Sequence, residues 1–330
     1  MTPAVSILLV TYRCRDAARA CLASIEATTR SLDHEVIVLD NASGDGTVKM
    51  VANEFPAARL VASPENLGFA AGVNRAAAKA SSEFLLLLNP DTVVHDGAIE
   101  NLLDFARLHP EHGVYGGRTL NPDGRVNPGS CWGAPSLWSL FCFASTLSTA
   151  FKGNAIFDPE SLGGWQRDSV REVDIVTGCL LLMPRALWEE LRGFDTRFFM
   201  YGEDADLAMR ARALGYRPAI TPDAVVTHEI GVSSATREDK LLLLFRGKAT
   251  LLRKHWRPVR RRLGVGLLVA GVGVRALEAS LLGRFRPASG RRASFWPGVW
   301  RARKDWVAGY GEPSSTGAEA PSLRTERVSP

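Results

Sequence analysis

The sequence has few cysteines, and their spacing argues against a metal cluster or a disulfide framework. Its five cysteines include no CxxC pair and no paired zinc spacing, and two of them stand in apolar runs that resemble a protein core. Free thiols of this kind are typical of a reducing compartment. We therefore predict that the cysteines are reduced core residues.

The sequence also lacks a secretion signal and a long uninterrupted apolar run. No basic segment and no small-residue cleavage site precede the first apolar run at 5–10, so we predict a cytoplasmic protein. Near the other end, Leu263 to Val274 is uncharged over twelve residues, whereas a helix that crosses a bilayer needs about 20. Because Arg275 and Glu278 follow closely, we predict an interfacial helix and not a transmembrane one.

Positive charge is concentrated toward the C-terminal end. Of 40 Lys/Arg and 35 Asp/Glu in the chain, 18 and 5 respectively lie from Arg246 onward, so an acidic body of net charge −8 precedes a basic tail of +13. An acidic body argues against nucleic-acid binding, and the tail predicts contact with an anionic membrane surface. In the tail, Trp296, Trp300 and Trp306 are interleaved with basic residues, which suits lipid headgroups. A solvated face or a protein-docking helix would have the same composition. The interleaved basic residues are Arg291, Arg292, Arg301, Arg303 and Lys304.

The front of the chain alternates apolar strands with helices. Strands are predicted at 5–12, 35–40, 59–62 and 84–88. The last of these is a run of five apolar residues without polar alternation, which is typical of a strand buried on both faces. This order predicts right-handed crossovers and a parallel sheet. The predicted fold class is α/β, with a mixed, mostly parallel sheet flanked by helices and followed by a basic helical tail.

Two aspartates follow strands at positions where α/β sheets hold ligands. Asp91 comes after the strand at 84–88, across Asn89-Pro90, and Asp40 ends the strand at 35–40. Parallel strands carry their C-terminal ends at one edge of the sheet, outside the covering helices, so Asp40, Asp91 and Thr11 should converge there. An ordinary turn is the other common use of an aspartate after a strand.

A glycine-rich helix start, 66–74, follows the third strand. Gly68 and Gly72 are four residues apart and do not follow the first strand, so this is not the GxGxxG dinucleotide fingerprint. Glycines let a backbone approach a ligand, and free N–H groups at a helix N-terminus suit a phosphate. Simple packing between helix and sheet is the alternative.

The composition divides the chain into regions. Residues 121–171 are rich in Gly, Pro, Ser and Trp without a clear period, which predicts a loop-rich insertion. This insertion belongs to a predicted α/β domain at 1–235. Residues 236–311 are predicted to form a basic, amphipathic helical, membrane-associated region. The composition of 312–330 predicts disorder.

Carboxylates open one predicted helix, and a histidine ends the last predicted strand. Glu203, Asp204 and Asp206 lie within four residues at the helix start, where the macrodipole favours acidic groups. Glu203 and Asp204 are adjacent, so they face different directions and cannot both be ordinary caps. His228 is either a ligand or a structural histidine.

Five motifs resemble, in order, those of the inverting family 2 glycosyltransferases with the GT-A fold. They read SILLVTY (6–12), VLDNASGDGT (38–47), NLGFAAGVN (66–74), NPDT (89–92) and GEDADL (202–207). The branch that looks most similar is the rhamnosyltransferase-like group that acts on lipid-linked glycans. The resemblance covers roughly 5–234, and five ordered motifs are far more specific than any one alone.

The resemblance implies a Rossmann-like nucleotide-binding domain with a divalent metal, Mg or Mn. The metal motif of the family is often Asp-x-Asp, whereas this chain has Asn89-Pro90-Asp91. Asp91 would be one metal ligand, and His228, which matches a late histidine of the family, would be another. The residues implied to hold the nucleotide are Thr11, Tyr12, Asp40, Asn41, Asn66, Gly68 and Asn89.

The resemblance also implies the roles of the acidic helix start and of the substrates. Asp204 would be the general base that deprotonates the acceptor hydroxyl during inversion, with Glu203 as the runner-up or a supporting residue. The donor would be a nucleotide diphosphate sugar, with dTDP or UDP as the nucleotide and rhamnose as one candidate sugar. The acceptor would be a glycan or a polyprenyl-linked hydroxyl in cell-envelope polysaccharide synthesis, reached by a peripheral enzyme at the inner face of the cell membrane.

Two other classes of protein remain open at this point. One is a non-catalytic nucleotide-sugar-binding or membrane scaffold protein derived from this fold, for which the reduced metal motif leaves room. The other is a sugar nucleotidyltransferase, which should carry a Gly-rich loop after the first strand. Here that position reads Tyr12-Arg13-Cys14-Arg15-Asp16, without glycine.

Overall fold

The computed structural model describes residues 2–228, 236–285 and 295–311. The predicted disordered segment at 312–330, and the basic residues Arg291 and Arg292, lie outside the described residues. The strands are β1 (Val5–Thr11), β2 (His34–Asp40), β3 (Arg59–Ala62), β4 (Phe84–Leu88), β5 (Thr92–Val94), β6 (Tyr115–Leu120), β7 (Cys131–Trp132), β8 (Arg171–Glu172), β9 (Ile175–Val176), β10 (Leu180–Pro184) and β11 (Ala219–His228). The helices are α1 (Arg15–Thr28), α2 (Thr47–Glu54), α3 (Gly68–Ala77), α4 (Ala98–Leu108), α5 (Leu137–Ala144), α6 (Leu147–Ala150), α7 (Arg185–Glu190), α8 (Glu203–Ala213), α9 (Arg237–His255), α10 (Pro258–Phe285), α11 (Trp296–Arg301) and α12 (Arg303–Ala308).

A mixed sheet forms the centre of the fold. Its strand order is β3-β2-β1-β4-β10-β6-β11-β5, and β8 pairs with β11 off this path. The four strands from β3 to β4 run parallel to one another, and β6 runs parallel to β11. Strand β10 is antiparallel to both β4 and β6 and so joins the two parallel parts. The α/β fold predicted from the order of strands and helices is confirmed.

The central strands are buried because helices cover both faces of the sheet. Every residue of β1 and of β4 is buried, as the continuous apolar run at 84–88 predicted. Alternate residues of β1 enter two cores, Ile7 and Leu9 on one side and Leu8 and Val10 on the other. Helices α1, α2 and α4 supply the first core, and α3, α7 and α8 supply the second. Only the strand ends are left to meet a ligand.

The insertion contains a helix that the composition did not reveal. The sequence predicted a loop-rich insertion at 121–171, and the structure has the eight-residue helix α5 within it. Ser136 begins this helix with a capping box, since its Oγ accepts from the backbone N–H of Ser139 and the Ser139 Oγ accepts from that of Ser136, both over 2.9 Å. Helix α5 gave no clear period because seven of its eight residues, Ser139 excepted, are apolar.

The last apolar helix is much longer than its uncharged run. Helix α10 has 28 residues, whereas its uncharged run, 263–274, has twelve. It continues because Arg275 is buried in polar contacts, where its Nη1 donates to the carbonyl of Phe143 over 2.6 Å. The stretch Pro258–Leu281 is long and apolar enough to cross a membrane, with a mean hydropathy of 1.5, and about a third of it is buried within the protein. One such helix is weak evidence of a membrane crossing.

Candidate active site

The C-terminal ends of β1, β2 and β4 meet where the strand order reverses. The last residue of β1, Thr11, lies opposite the last residue of β2, Asp40, and its Oγ1 donates to the Asp40 Oδ1 over 3.2 Å. Both residues are buried. Strand β4 lies on the other side of β1 and leads into the loop that carries Asp91. Open α/β sheets bind their ligands in this crevice.

Asp40 also has the local role that was considered as its alternative. Its Oδ2 accepts from the backbone N–H of Ser43 over 3.1 Å, which fixes the turn after β2. Tyr12, which follows Thr11, is half-buried at the same edge, with the guanidinium of Arg13 5.2 Å from its ring centre. Asp40 therefore both shapes this edge and carries one of its carboxylates.

Backbone groups at the start of α3 form hydrogen bonds within the protein. The Asn41 Nδ2 donates to the carbonyl of Gly68 over 3.0 Å, and the Asn66 Oδ1 accepts from the N–H of Gly68 over 2.9 Å. The N–H of Phe69 donates to the carbonyl of Phe199 over 2.7 Å. The expectation that these N–H groups are free for a phosphate was therefore wrong. Gly68 has a φ of +79°, and a Cβ there would lie 2.5 Å from the Phe199 oxygen, so no larger residue fits.

Asp91 and His228 meet at the same sheet edge. His228 ends β11, and the pairing of β11 with β5 puts it opposite Thr92, the residue after Asp91. The His228 Nε2 lies 3.0 Å from the Asp91 Oδ1, and the two side chains are 16% and 11% exposed. Among the residues that the structure describes, His228 is the only hydrogen-bond partner of the Asp91 side chain. A carboxylate and an imidazole that both reach solvent are common metal ligands.

Glu203 and Asp204 open α8 in different surroundings. The Asp204 Oδ2 accepts from the N–H of Gly178 over 3.3 Å, and its Oδ1 accepts from the N–H of Ala205 over 2.7 Å. Glu203 is only 4% exposed, and its Oε2 is buried without a hydrogen-bond partner in the described chain. Burial and the nearby Asp204 raise the pKa of Glu203 well above its usual value. Burial also raises the pKa of Asp204, against the opposing effect of its two N–H donors.

The two residues just before β10 contact both Asp204 and the loop that carries Asp91. The carbonyl of Cys179 accepts from the N–H of Asn89, at the head of the Asp91 loop, over 3.1 Å. The N–H of the preceding residue, Gly178, binds Asp204. Two consecutive residues therefore fix the Asp91 loop and Asp204 relative to each other. The sequence analysis missed this role of Gly178 and Cys179. The one signal in the sequence was that Gly178 stands just ahead of an apolar strand.

A buried ionic network supports α8 from behind, and it too was missed. Asp206 is fully buried, and its carboxylate is bound by Arg210 over 2.8 Å and by Lys254 and His255 over 2.7 Å each. Burial alone would raise the pKa of Asp206, but the hydrogen bond from His255 and the charges of Arg210 and Lys254 hold it below its usual value. Lys254 also contacts Asp195 over 2.6 Å. Helix α9 is thereby tied to the helix that carries Asp204.

The turn before α8 is held by a residue close to the C-terminus. Tyr201 and Gly202 both have a positive φ, +67° and +101°. The Tyr310 hydroxyl donates to the carbonyl of Met200 over 2.7 Å, and the N–H of Tyr310 donates to the Thr250 Oγ1 over 2.7 Å. Left-handed residues persist only where their surroundings hold them. Tyr310 and α9 supply that support.

A second group of potential metal ligands lies elsewhere on the sheet. His109, Glu111 and His112 have ligand atoms within 4.8 Å of one another. They precede β6, whose first residue Tyr115 pairs with the first residue of β11. This is the end of β11 opposite to His228. The group is therefore separate from the Asp91 edge.

The comparisons with known proteins agree with this geometry. A family model described as "Glycosyl transferase family 2" matches residues 6–173, just over half of the chain. The chain belongs to glycosyl transferase family 2. The matched residues of this glycosyltransferase include Thr11, Asp40 and Asp91 but end before Asp204 and His228.

Curated relatives extend the similarity to most of the glycosyltransferase. The N-acetylglucosaminyl-diphospho-decaprenol L-rhamnosyltransferase of Mycobacterium tuberculosis, in two strains, is 31% identical over 248 residues, which cover 69% of this chain and 76% of the relative. The O-antigen biosynthesis protein RfbC of Myxococcus xanthus is 29% identical over 234 residues, 70% of this chain but 18% of that longer protein. The rhamnosyltransferase-like resemblance seen in the five motifs is confirmed.

A solved structure agrees with the fold. The mannosyltransferase PcManGT from Pyrobaculum calidifontis, determined in complex with GDP-Man and Mn²⁺, superposes with a TM-score of 0.55 at 19% identity. The match covers 93% of this glycosyltransferase and 86% of PcManGT. At this identity the similarity concerns the fold alone, and it confirms the predicted GT-A architecture.

Proposed function

We propose that this glycosyltransferase transfers a sugar, with inversion, from a nucleotide diphosphate sugar to a hydroxyl of a lipid-linked glycan. Rhamnose is the candidate sugar, because the Mycobacterium tuberculosis relative is named as an L-rhamnosyltransferase. The candidate nucleotide stays dTDP or UDP, as expected from the sequence. The name of that relative includes a diphospho-decaprenol, which supports a polyprenyl-linked acceptor. The process would be cell-envelope polysaccharide synthesis.

One observation carries the proposal. Gly178 binds the Asp204 carboxylate while Cys179 binds the head of the Asp91 loop. A hydroxyl acceptor at Asp204 and a diphosphate at Asp91 would therefore both be held near one rigid strand start. Inversion requires a base and a leaving group on opposite sides of the anomeric carbon, and Asp204 and the group bound at Asp91 are proposed for these two roles.

Asp204 is the proposed general base. Its raised pKa makes it a stronger proton acceptor than an ordinary aspartate, while its two N–H donors fix its orientation. It would take the proton of the acceptor hydroxyl as the oxygen bonds to the anomeric carbon and the diphosphate departs. Glu203, buried and with a more strongly raised pKa, would stay protonated beside it as a supporting residue.

The nucleotide would lie along the ends of β1, β2 and β4. Thr11, Tyr12 and Asp40 supply a hydroxyl, a ring and a carboxylate at that edge, and Asn89 follows β4. The polar groups of three further residues are engaged in holding the loop before α3, so their contribution would be to shape the nucleotide pocket. These residues are Asn41, Asn66 and Gly68.

Asp91 and His228 fit a divalent cation, Mg²⁺ or Mn²⁺. Among the described residues only His228 engages the Asp91 carboxylate, through one oxygen, so the other oxygen is available to a metal. The Mn²⁺ bound in the PcManGT complex supports this assignment. When bound, the metal would neutralise charge on the leaving diphosphate. Asp91 and His228 would hold this cation.

The enzyme would work as a peripheral protein at the inner face of the cell membrane. A polyprenyl-linked acceptor stays in the bilayer, so its hydroxyl can be reached only by an enzyme that approaches the surface. The basic charge of +13 from Arg246 onward suits that location.

Calorimetric binding of nucleotide diphosphates and nucleotide sugars tests the proposal. Wild type, Asp91→Ala and the control Asp96→Ala would be titrated with a panel of these ligands, with and without Mn²⁺ or Mg²⁺. Asp96 is a carboxylate five residues further along, outside the proposed metal site. We expect metal-dependent binding of one nucleotide sugar, lost in Asp91→Ala and kept in Asp96→Ala.

The opposite result would favour a non-catalytic protein. If no ligand of the panel bound in any condition, the chain would be a scaffold derived from the fold, and the catalytic proposal would fail. Binding that did not depend on a metal or on Asp91 would contradict the proposed metal site alone.

A further inference from the structure

Helix α10 carries an apolar stripe that no described residue covers. This surface is called the outer stripe, and all of its residues are exposed. They are Val259, Leu263, Gly266, Ala270, Val274, Leu277 and Leu281. Val259 is 72% exposed and Leu277 61%. Their spacing of three or four residues places them on one face of the helix. The stripe is about 33 Å long at 1.5 Å per residue.

The opposite face of α10 is fixed to the protein. A Cβ at Gly264 would lie 2.4 Å from the ring of Trp256, and one at Gly271 would lie 2.4 Å from the ring of Phe143, so the helix packs closely at both points. Arg275 is buried and its Nη2 donates to the Thr149 Oγ1 over 3.0 Å. A crossing of the bilayer would require this face to leave its partners and Arg275 to enter hydrocarbon. The packing therefore favours a helix that lies in the plane of a membrane.

Exposed aromatic side chains extend the apolar surface beyond α10. Helix α5 packs along α10 through Leu140 and Phe143, and on its outer side Trp138 and Phe141 are each 45% exposed. Their rings stack with centres 5.6 Å apart. Tryptophan and phenylalanine are favoured at the depth of lipid headgroups.

Arginines without an acidic partner occupy one end of the stripe. Arg257, Arg260, Arg261 and Arg262 lie at the start of α10, and none of them forms an ion pair with a carboxylate in the described part of the chain. The helix macrodipole adds positive potential at this N-terminal end. The described residues therefore supply no counter-charge to this cluster, and an anionic surface would provide it.

We propose that the outer stripe, together with Trp138 and Phe141, seats the enzyme on an anionic lipid bilayer with the axis of α10 in the membrane plane. The arginine cluster binds the headgroups and the stripe enters the boundary between headgroups and acyl chains. A second copy of the chain is a poorer occupant, because it would bring the same arginines and no anionic stripe. The inference rests on the proposed function only in that the bilayer carries the acceptor.

Sedimentation with vesicles of phosphatidylcholine and phosphatidylglycerol at low salt tests this surface. The variant Leu263→Glu/Leu277→Glu would be compared with Leu108→Glu/Leu214→Glu, which adds the same charge at two exposed leucines on α4 and after α8. We expect wild type and the control to bind the vesicles and the stripe variant to lose at least tenfold in affinity. A charge variant, Arg257→Gln/Arg262→Gln, should weaken binding by about 10- to 30-fold without altering the melting temperature.

Two outcomes would overturn the inference. Equal vesicle binding by wild type and both stripe and charge variants would exclude this surface. The other outcome is that wild type fails to bind vesicles and sediments as a dimer, while the stripe variant sediments as a monomer. That result would identify the outer stripe as a self-association face. Nucleotide-sugar binding measured without vesicles should be unchanged in both variants, so a failure of the surface is separable from a failure of the transferase proposal.

Discussion

Asp204 and Glu203 are neighbours in the chain, but their surroundings suit them to different roles in proton transfer. Asp204 is partly open and oriented by two N–H donors, whereas Glu203 is buried with an oxygen that has no partner among the described residues. A carboxylate that must accept a proton needs access to the substrate, which Asp204 has and Glu203 lacks. The structure therefore favours Asp204 over Glu203 as the proposed base.

Replacing Asp204 with asparagine should abolish transfer while sparing the donor site. Loss of a positioned general base costs about 10²–10⁴-fold in rate, and asparagine keeps the shape of the side chain and can accept one of its two N–H hydrogen bonds. Turnover would be measured with the donor identified by calorimetry, alongside the affinity for that donor. Glu203→Gln is the matched control and should retain most activity. Full activity in Asp204→Asn would remove the residue from the mechanism.

The pH dependence of transfer follows from the raised pKa of Asp204. The base must be ionised, so kcat/KM should fall as the pH is lowered through this pKa, at a higher pH than the usual aspartate value of 3.8. Glu203→Gln should leave that acidic limb in place, because a protonated Glu203 carries no charge. A profile flat down to the usual aspartate range would contradict the assignment.

Glu203 should make the protein less stable as the pH rises. Its folded-state pKa is raised above the ordinary 4.5, so the folded chain keeps a proton that the unfolded chain releases. The stabilisation is complete below 4.5 and is lost progressively above it, up to the raised pKa. Glu203→Gln removes this dependence, so the melting temperature of the variant minus that of wild type should grow as the pH rises from 4.5 toward the raised pKa. A constant difference across that range would contradict a neutral Glu203.

At the scale of elements, the position of α8 depends on its ionic contacts with α9. Asp206→Asn leaves Lys254 and His255 with a weaker partner in a buried place, and breaking a buried pair costs about 3–5 kcal/mol. Urea unfolding would measure the loss. Asp104→Asn is the control, since its contact with Arg107 is long, 3.9 Å, and exposed. That variant should lose less than about 1 kcal/mol. Equal losses in the two variants would contradict the role of the network.

The elements that the sequence predicted well are those with unbroken apolar runs. Strand β4 was predicted at its observed bounds, 84–88, because no polar residue interrupts it. Helix α5 lies within a segment predicted to be loop-rich, since an apolar helix shows no period. Helix α10 extends beyond Arg275 because that arginine is buried with polar partners. A buried arginine with polar partners is indistinguishable in sequence from an exposed one.

The site was predictable where motifs are local and not where contacts are distant. Thr11, Asp40, Asp91, Asp204 and His228 stand at or next to strand or helix ends, as the motifs indicated, and their roles stay predictions. The roles of Gly178, Asp206 and Tyr310 depend on partners 26, 49 and 110 residues away. No spacing rule links such pairs, so only the folded chain reveals them.

At the scale of the whole molecule, the predicted boundary at residue 235 separates regions that share a core. Phe198 and Ala205, beside the proposed base, pack in one cluster with Leu251 of α9. A chain that ends at residue 235 should therefore lose solubility or at least about 10 °C in melting temperature, because this apolar surface and the Asp206 network become exposed. Circular dichroism melting would measure the change.

A chain that ends at Gly311 is the control for this truncation. It retains α9 to α12 and Tyr310 and omits only the segment for which the sequence predicts disorder, so its melting temperature should equal that of wild type. An independently stable fragment ending at 235 would show instead that the boundary divides two autonomous domains.

The hydrogen bond from Tyr310 to Met200 has a consequence for how the enzyme is made. The carbonyl that it holds lies 110 residues earlier in the chain, in the turn that presents Glu203 and Asp204. On the ribosome the strands β1 to β4 are complete long before Tyr310 is synthesised. A nascent chain can thus form these strands early, but the turn that carries the proposed base gains the support of Tyr310 only after α8 to α12 have been made.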